Sequence, residues 1–295
     1  MEFTQVKGNT WCLYGKELIP VYRMDENRCI LLDSGWNWER EKLKEAMEQN
    51  GLIPVAAIAT HAHTDHLGNH GWLKETYGTW LCMTEKEALL TNHESRERYC
   101  REYVRRMGSF FDDVEFKVDQ IIEGEDGITH ILGVPFYIHH TPGHTVDHIC
   151  VGTPDNVCYL GDLVMAGEDL ERVELPYHYS YVGARLSMEK MREVQRYDSY
   201  IVAHRKIIGD LDDVVEKNVA MLDRIEEGVL GVLNAPLEWD DLVWSALDAT
   251  HVTVKNKFQE LAYREFLHLI VSGLVEQEKV GIQTESGKRK FYRRG

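Results

Sequence analysis

Four side chains able to bind a divalent cation fall within six residues of this chain, in Thr60-His61-Ala62-His63-Thr64-Asp65-His66-Leu67-Gly68-Asn69. With 14 His in 295 residues, the pattern H-x-H-x-D-H arises by chance on the order of once in several hundred such chains. Imidazole nitrogen with some carboxylate suits zinc. In extended chain at a strand's end, residues i and i+2 point to the same side, so His61 and His63 converge on one cation. The chain then turns into a helix near Asp65, where Asp65 and His66 point away from the first ion and serve a second.

Three later stretches end apolar runs with a further ligand type. Thr141-Pro142-Gly143-His144-Thr145 presents His144 on a Pro-Gly turn after a run over residues 134–140. Tyr159-Leu160-Gly161-Asp162 ends in a carboxylate, and Ser199-Tyr200-Ile201-Val202-Ala203-His204 in an imidazole. In this order and at these strand ends, the four stretches resemble motifs 2 to 5 of the metallo-β-lactamase fold superfamily, over roughly residues 1–208. The resemblance implies an α/β fold, an αββα sandwich with metals in a cleft at one edge of the sheets. It also implies that His61, His63 and His144 hold one metal, that Asp65, His66 and His204 hold another, and that Asp162 bridges them. Asp33, in Leu32-Asp33-Ser34-Gly35, matches the first motif, where the Asp orients the ligand loops by hydrogen bonds. His204 departs from the pattern in its flanks, Ala203 and Arg205, where glycine is usual.

The chemistry implied is metal-dependent hydrolysis of a small-molecule substrate. Zinc lowers the pKa of coordinated water from 15.7 to about 7, and a hydroxide between two zincs attacks a carbonyl or phosphoryl centre. Asp65 or Asp162 accepts the proton as the intermediate collapses. No G-x-S-x-G nucleophile motif competes. The redox branch of the superfamily replaces the second His of the cluster with Glu; this chain keeps His63, so two zinc ions are expected, with iron or manganese as alternatives. His148, in His144-Thr145-Val146-Asp147-His148, matches a T-x-D-H extension found in part of the family and either supports the ligands or serves structural hydrogen bonds. Tyr177 and Tyr179 face one side if their segment is extended, and either touch substrate or form a packing face. Arg205 and Lys206 either bring positive charge to the site or form a solvated pair.

The elements that must position these groups alternate between strand and helix. Residues 28–33 and 53–59 read as strands, with a helix over 38–49 that stops at Asn50-Gly51. A helix is expected from His66 to Tyr77, a strand over 79–83, and one or two helices over 85–107. Short strands broken by glycines and prolines fill 116–160. Loops 84–115 and 164–182 are expected to set selectivity.

Composition is that of a soluble globular protein, 43% hydrophobic and 28% charged. No apolar run reaches the roughly 18 residues of a membrane span. MEFTQVKGNT lacks the features of a signal peptide, and six scattered Cys form no C-x-x-C pair, so a cytoplasmic protein with buried thiols is expected. The net charge of −16 argues against nucleic acid as the general partner. That charge is uneven. Residues 239–295 carry nine Lys/Arg and eight Asp/Glu of the chain's 33 and 49, so nearly all the acidity lies before Trp239.

Residues 209–295 read as a separate helical appendage. Helices are expected over 212–228, 239–250 and 258–272, with Gly228 and Gly273 as stops. Strands over 274–280 and 288–294 then flank a turn at 281–287. Helices before a hairpin resemble a winged-helix domain, and a similar tail occurs in the superfamily branch of the mitochondrial lactamase-like endoribonuclease; glyoxalase II-type enzymes are another branch. Lys288, Arg289, Lys290, Arg293 and Arg294 raise the alternative of a ribonuclease or phosphodiesterase, or of a non-catalytic winged-helix regulator that binds nucleic acid. The favoured role of the tail is packing or homodimer formation. The favoured activity is hydrolysis of a thioester, lactone or other acyl substrate.

Overall fold

Apolar runs buried on both faces account for the strands that carry the site. In β4 (Arg28–Leu32), Cys29 and Leu31 face a helical layer while Ile30 and Leu32 face a second sheet. A strand covered on both sides reads as continuously apolar, as this one does. The computed structural model describes residues 1–92, 94–95, 115–194 and 196–295.

The first sheet has seven strands in chain order: β1 (Glu2–Lys7), β2 (Thr10–Tyr14), β3 (Leu18–Arg23), β4, β5 (Ile53–Ile58), β6 (Trp80–Thr84) and β7 (Gln120–Ile122). β1 to β4 meander antiparallel, whereas β4 to β7 run parallel. A parallel pair needs a crossover, and helix Arg40–Gln49 supplies the one between β4 and β5. It buries Leu43, Ala46 and Met47, spaced i, i+3, i+4, and gives way to Gly51 at φ 62.

The second sheet has the order β13-β12-β11-β10-β9-β8. Its strands are β8 (Gly127–Ile131), β9 (Val134–His140), β10 (Ile149–Gly152), β11 (Val157–Tyr159), β12 (Ser199–Val202) and β13 (Lys206–Ile208). Ile30, Leu32 and Ile58 of one sheet meet Phe136, Val151 and Ile201 of the other in a shared apolar layer. Leu43, Met47 and Leu73 cover the outer face of the first sheet, and Met188 and Leu222 that of the second. The layers are therefore αββα, as expected. Both sheets end their chains at the same edge, so the loops after β4, β5, β9, β11 and β12 meet there.

Several elements differ from the sequence reading, for one recurring reason. The helix expected from His66 to Tyr77 is two, Thr64–Leu67 and His70–Tyr77, because Gly68 is pressed against the Asn37 amide and the Gly35 carbonyl. Helix Asp212–Val232 runs through Gly228, where a Cβ would meet Thr250 at 2.4 Å. Helix Lys257–Glu276 runs through Gly273, which faces Val182 of helix Tyr181–Glu193. The hairpin is β15 (Val280–Glu285) and β16 (Lys288–Arg293); Gly281 lies inside β15 because the Tyr292 ring crosses it. Gly228, Gly273 and Gly281 thus make room for neighbours rather than ending elements.

After helix Trp239–Ala249 and the short β14 (Leu237–Glu238), the tail's three-stranded sheet has the order β14-β16-β15. Its apolar residues join those of the second sheet in one cluster from Cys150 to Phe291. In the span expected to be helical at 85–107, Glu85–Leu89 is a helix; residues 93 and 96–114, with Cys100, lie outside the described residues. The other five cysteines are buried and free. No helix among the described residues is long and apolar enough to cross a membrane.

Candidate metal centre

β5 delivers the chain into a bend that buries His61 completely and His63 almost so. His61 Nε2 lies 3.0 Å from His63 Nδ1, which lies 3.0 Å from His144 Nε2. Asp162 Oδ2 closes this group at 3.2 Å from His144 Nε2 and 3.9 Å from His61 Nε2. On its other side, Asp162 Oδ1 stands 3.1 Å from His204 Nε2 and 3.3 Å from His66 Nε2. Asp65 Oδ2 approaches His66 Nε2 at 3.6 Å. Two groups of four ligand atoms result, each gathered within 4.8 Å: His61, His63, His144, Asp162, and Asp65, His66, Asp162, His204.

The donor set fits divalent cations. A tetrahedral ion with bonds of about 2.0–2.1 Å holds its ligand atoms about 3.3 Å apart, close to these spacings. Facing ring nitrogens at 3.0 Å cannot both carry a proton. His66 Nε2, Asp65 Oδ1 and Asp162 Oδ1 are buried without a partner at hydrogen-bonding angles, which costs about 1–3 kcal/mol each unless a cation or water joins them. Burial, then the neighbouring imidazoles, holds His61 and His63 well below the ordinary histidine range, which favours the neutral form that a cation needs. Burial opposes charge on His66 and His204 too. Asp162, Asp65 and Asp33 outweigh it at His66, and Asp162 with Glu17 lifts His204 to about 11. Burial would raise Asp162, but His66, His204 and His144 hold it well below the usual range. The carboxylates that favour positive charge on His66 and His204 would favour a bound cation there in the same way.

Asp33 anchors the ligand loops. Its Oδ1 accepts from the Thr60 amide at 2.7 Å; its Oδ2 accepts from the Thr60 hydroxyl and Tyr159 at 2.8 Å and meets His66 Nδ1 at 2.7 Å. That last contact turns Nε2 of His66 toward Asp162. His148 is fully buried: its Nε2 accepts the Asp162 amide at 3.1 Å and its Nδ1 meets the Thr141 hydroxyl at 2.8 Å. Burial, then His144, pushes His148 down to about 3, so it stays a neutral acceptor. Gly161, at φ 51, leaves this approach open; a Cβ there would meet His148 Nε2 at 2.7 Å.

A model of the metallo-beta-lactamase superfamily matches residues 18–204, which contain all seven candidate ligands and Asp33. The chain belongs to this superfamily. Within it, the chain is 27% identical over 168 residues to the hydroxyacylglutathione hydrolase GloC of Haemophilus influenzae, covering 54% of this chain and 76% of that protein. It is 28% identical over 149 residues to the hydroxyacylglutathione hydrolase of Klebsiella pneumoniae, covering 50% of this chain but only 47% of that one. The chain therefore spans about half the length of the second relative. A beta-lactamase domain protein from Burkholderia ambifaria shares the fold at a TM-score of 0.74 and 16% identity, over 99% of this chain and 94% of that one.

The remaining candidates are divided. Tyr177 is buried, with its ring 5.6 Å from those of both His63 and His144. Tyr179 contributes its backbone amide to the His144 carbonyl at 3.1 Å. The segment is not a strand, so the extended geometry that would set Tyr177 and Tyr179 on one face is absent. Arg205 is exposed, at φ 73, and makes no ion pair among the described residues.

Three residues escaped the sequence reading. Buried His178 lines a small cavity with His144, Asp162 and His204, and burial followed by His144 pushes it down to about 3. Glu17, 3% exposed, meets His204 Nδ1 at 2.7 Å. Glu87, 0% exposed, accepts the Ala62 and Asp147 amides. Nothing in their spacing marks them; only burial of a carboxylate or an imidazole does.

Proposed function

We propose that the chain is a dinuclear zinc hydrolase acting on a thioester, lactone or related acyl substrate. The observation that carries this reading is the pair of four-atom ligand groups joined through Asp162. His61, His63 and His144 would hold one ion, Asp65, His66 and His204 the other, with one Asp162 oxygen toward each. Bound zinc supplies a neutral-pH nucleophile by lowering the pKa of water to about 7, and a Lewis acid for the carbonyl. Asp65, whose carboxyl is raised by burial and whose Oδ1 has no partner, takes the proton released as the acyl bond breaks. Tyr177, backed by Phe266, forms an apolar wall beside the ions that keeps bulk water off the acyl group.

The relatives named as hydroxyacylglutathione hydrolases support an acyl substrate. Beside the small cavity lies a cleft of about 590 Å³, within the usual range for small-molecule sites. The two share Met221. Lys206, Lys217 and Arg224 line the cleft with Glu171 and Asp213, and Asp213 pairs with Lys217 at 2.7 Å. Three basic against two acidic groups leave one positive charge in excess, which favours a leaving group that carries negative charge. Arg224→Glu is expected to raise KM for an anionic acyl substrate about fivefold, the ~1 kcal/mol scale of an exposed ion pair, with kcat unchanged. Steady-state kinetics against a neutral analogue checks it, since that KM should not move. On the tail hairpin, Lys288 pairs with Glu238 and Lys290 with Glu285, which leaves less charge for phosphates and weighs against the ribonuclease alternative.

Elemental analysis with an acyl-substrate panel tests the whole reading. Two zinc ions per chain, and turnover lost to a chelator and restored by zinc, are expected. Protein that takes up no transition metal overturns it.

A further inference from the structure

Two buried glutamates outside the ligand motifs each attach to the loops of one ligand group. Glu87, on the short helix Glu85–Leu89, accepts the Ala62 amide on Oε2 at 2.9 Å and the Asp147 amide on Oε1 at 3.0 Å. Ala62 lies between His61 and His63, and Asp147 lies three residues past His144. One carboxylate therefore ties together the two loops that bear the three histidines of the first group. The same end of the helix holds Asp147 again, through the Thr84 hydroxyl to its carbonyl at 2.9 Å.

Glu17 has the complementary attachment. Its Oε2 meets His204 Nδ1 at 2.7 Å, its Oε1 accepts the Trp36 indole N–H at 3.2 Å, and the next amide, Leu18, bonds the Ala203 carbonyl at 2.7 Å. His204 belongs only to the second group. Carboxylates that fix a ligand imidazole or its loop set metal affinity without touching the metal.

We infer that Glu87 and Glu17 are positioning residues that set the affinities of the two cation positions separately, Glu87 the first and Glu17 the second. This rests on the two-cation reading above. Two N–H donors converge on Glu87, so glutamine must turn its own NH₂ against one of them and release either the His61/His63 loop or the His144 loop. Glutamine at 17 faces either the His204 ring or the Trp36 N–H in the same way.

Zinc titration against a competing chelator, in backgrounds that keep one position, tests the division. In His204→Ala protein, where the first position remains, Glu87→Gln is expected to weaken zinc about 10- to 100-fold. In His63→Ala protein, where the second remains, the same change should stay within about twofold. Glu17→Gln should give the reverse pattern. A merely structural role would lower the apoprotein's melting temperature and weaken both positions alike. Equal weakening in both backgrounds, or none in either, overturns the inference. If Glu87→Gln does not fold, the Glu17 arm decides alone, because its effect must vanish once His204 is removed. Wild-type protein that binds no zinc sinks the two-cation reading instead, before either glutamate is tested.

Discussion

Asp162→Ala is expected to lose both cations together and to lower turnover by more than ~10²-fold, beyond the usual ceiling for removing a mere outer partner of a ligand. Each oxygen of this carboxylate faces a different ring set, Oδ2 toward His144 and His61, Oδ1 toward His204 and His66. Among the described residues, no other side chain belongs to both groups. Removing it leaves three imidazoles without a carboxylate on one side and, on the other, two imidazoles whose nearest remaining carboxylates are Asp65, Asp33 and Glu17. His61→Ala, by contrast, strips one ligand from one group. Metal content measured on dialysed protein separates them: below one zinc per chain for Asp162→Ala, near one for His61→Ala. Asp162→Ala protein that retains two tightly held ions would show that the carboxylate is no bridge.

Asp33→Asn is expected to destabilise the fold by about 3 kcal/mol, the upper end of the cost of stranding a buried hydrogen-bonding group. At roughly 2–4 °C per kcal/mol for a chain of this size class, its melting temperature should fall by ~6–12 °C. Four donors reach this buried carboxylate. An amide has one acceptor oxygen, so its NH₂ must oppose at least the Thr60 amide and strand it, at about 1–3 kcal/mol, and the charge on the remaining bonds is lost. Asparagine tolerates the left-handed φ of 62 as aspartate does, so backbone strain adds nothing. A thermal melt of the apoprotein reads this directly; a fall of less than about 3 °C would mean the carboxylate is not the anchor its contacts describe. With a neutral amide oxygen in place of the carboxylate on His66 Nδ1, zinc should also weaken at the second position.

The convergence of these side chains was legible because its information is local. An apolar run predicts a strand, a strand's end fixes side-chain direction, and a histidine or aspartate placed there has its geometry half determined. His61, His63, Asp65, His66, His144, Asp162 and His204 do converge. Glu17 and Glu87 were not legible, because among 49 acidic residues nothing but tertiary burial distinguishes them. Gly228, Gly273 and Gly281 misled for a related reason. Glycine both permits turns and admits a close neighbour, and the neighbours here, Thr250, Val182 and Tyr292, come from other elements. The first three strands went unread as well; Thr10 of β2 meets Thr153 and Asp155 across the two sheets, a contact that no local pattern marks.

Phe266 of the tail rests on Tyr177, whose ring in turn rests on His63 and His144. The wall of the metal cleft is thus a joint product of two distant stretches of polypeptide. A lineage could remodel that wall, and with it the shape of what fits, by drifting at a helix some 120 residues downstream of the nearest of those histidines, His144, while every metal-facing group stayed as it was.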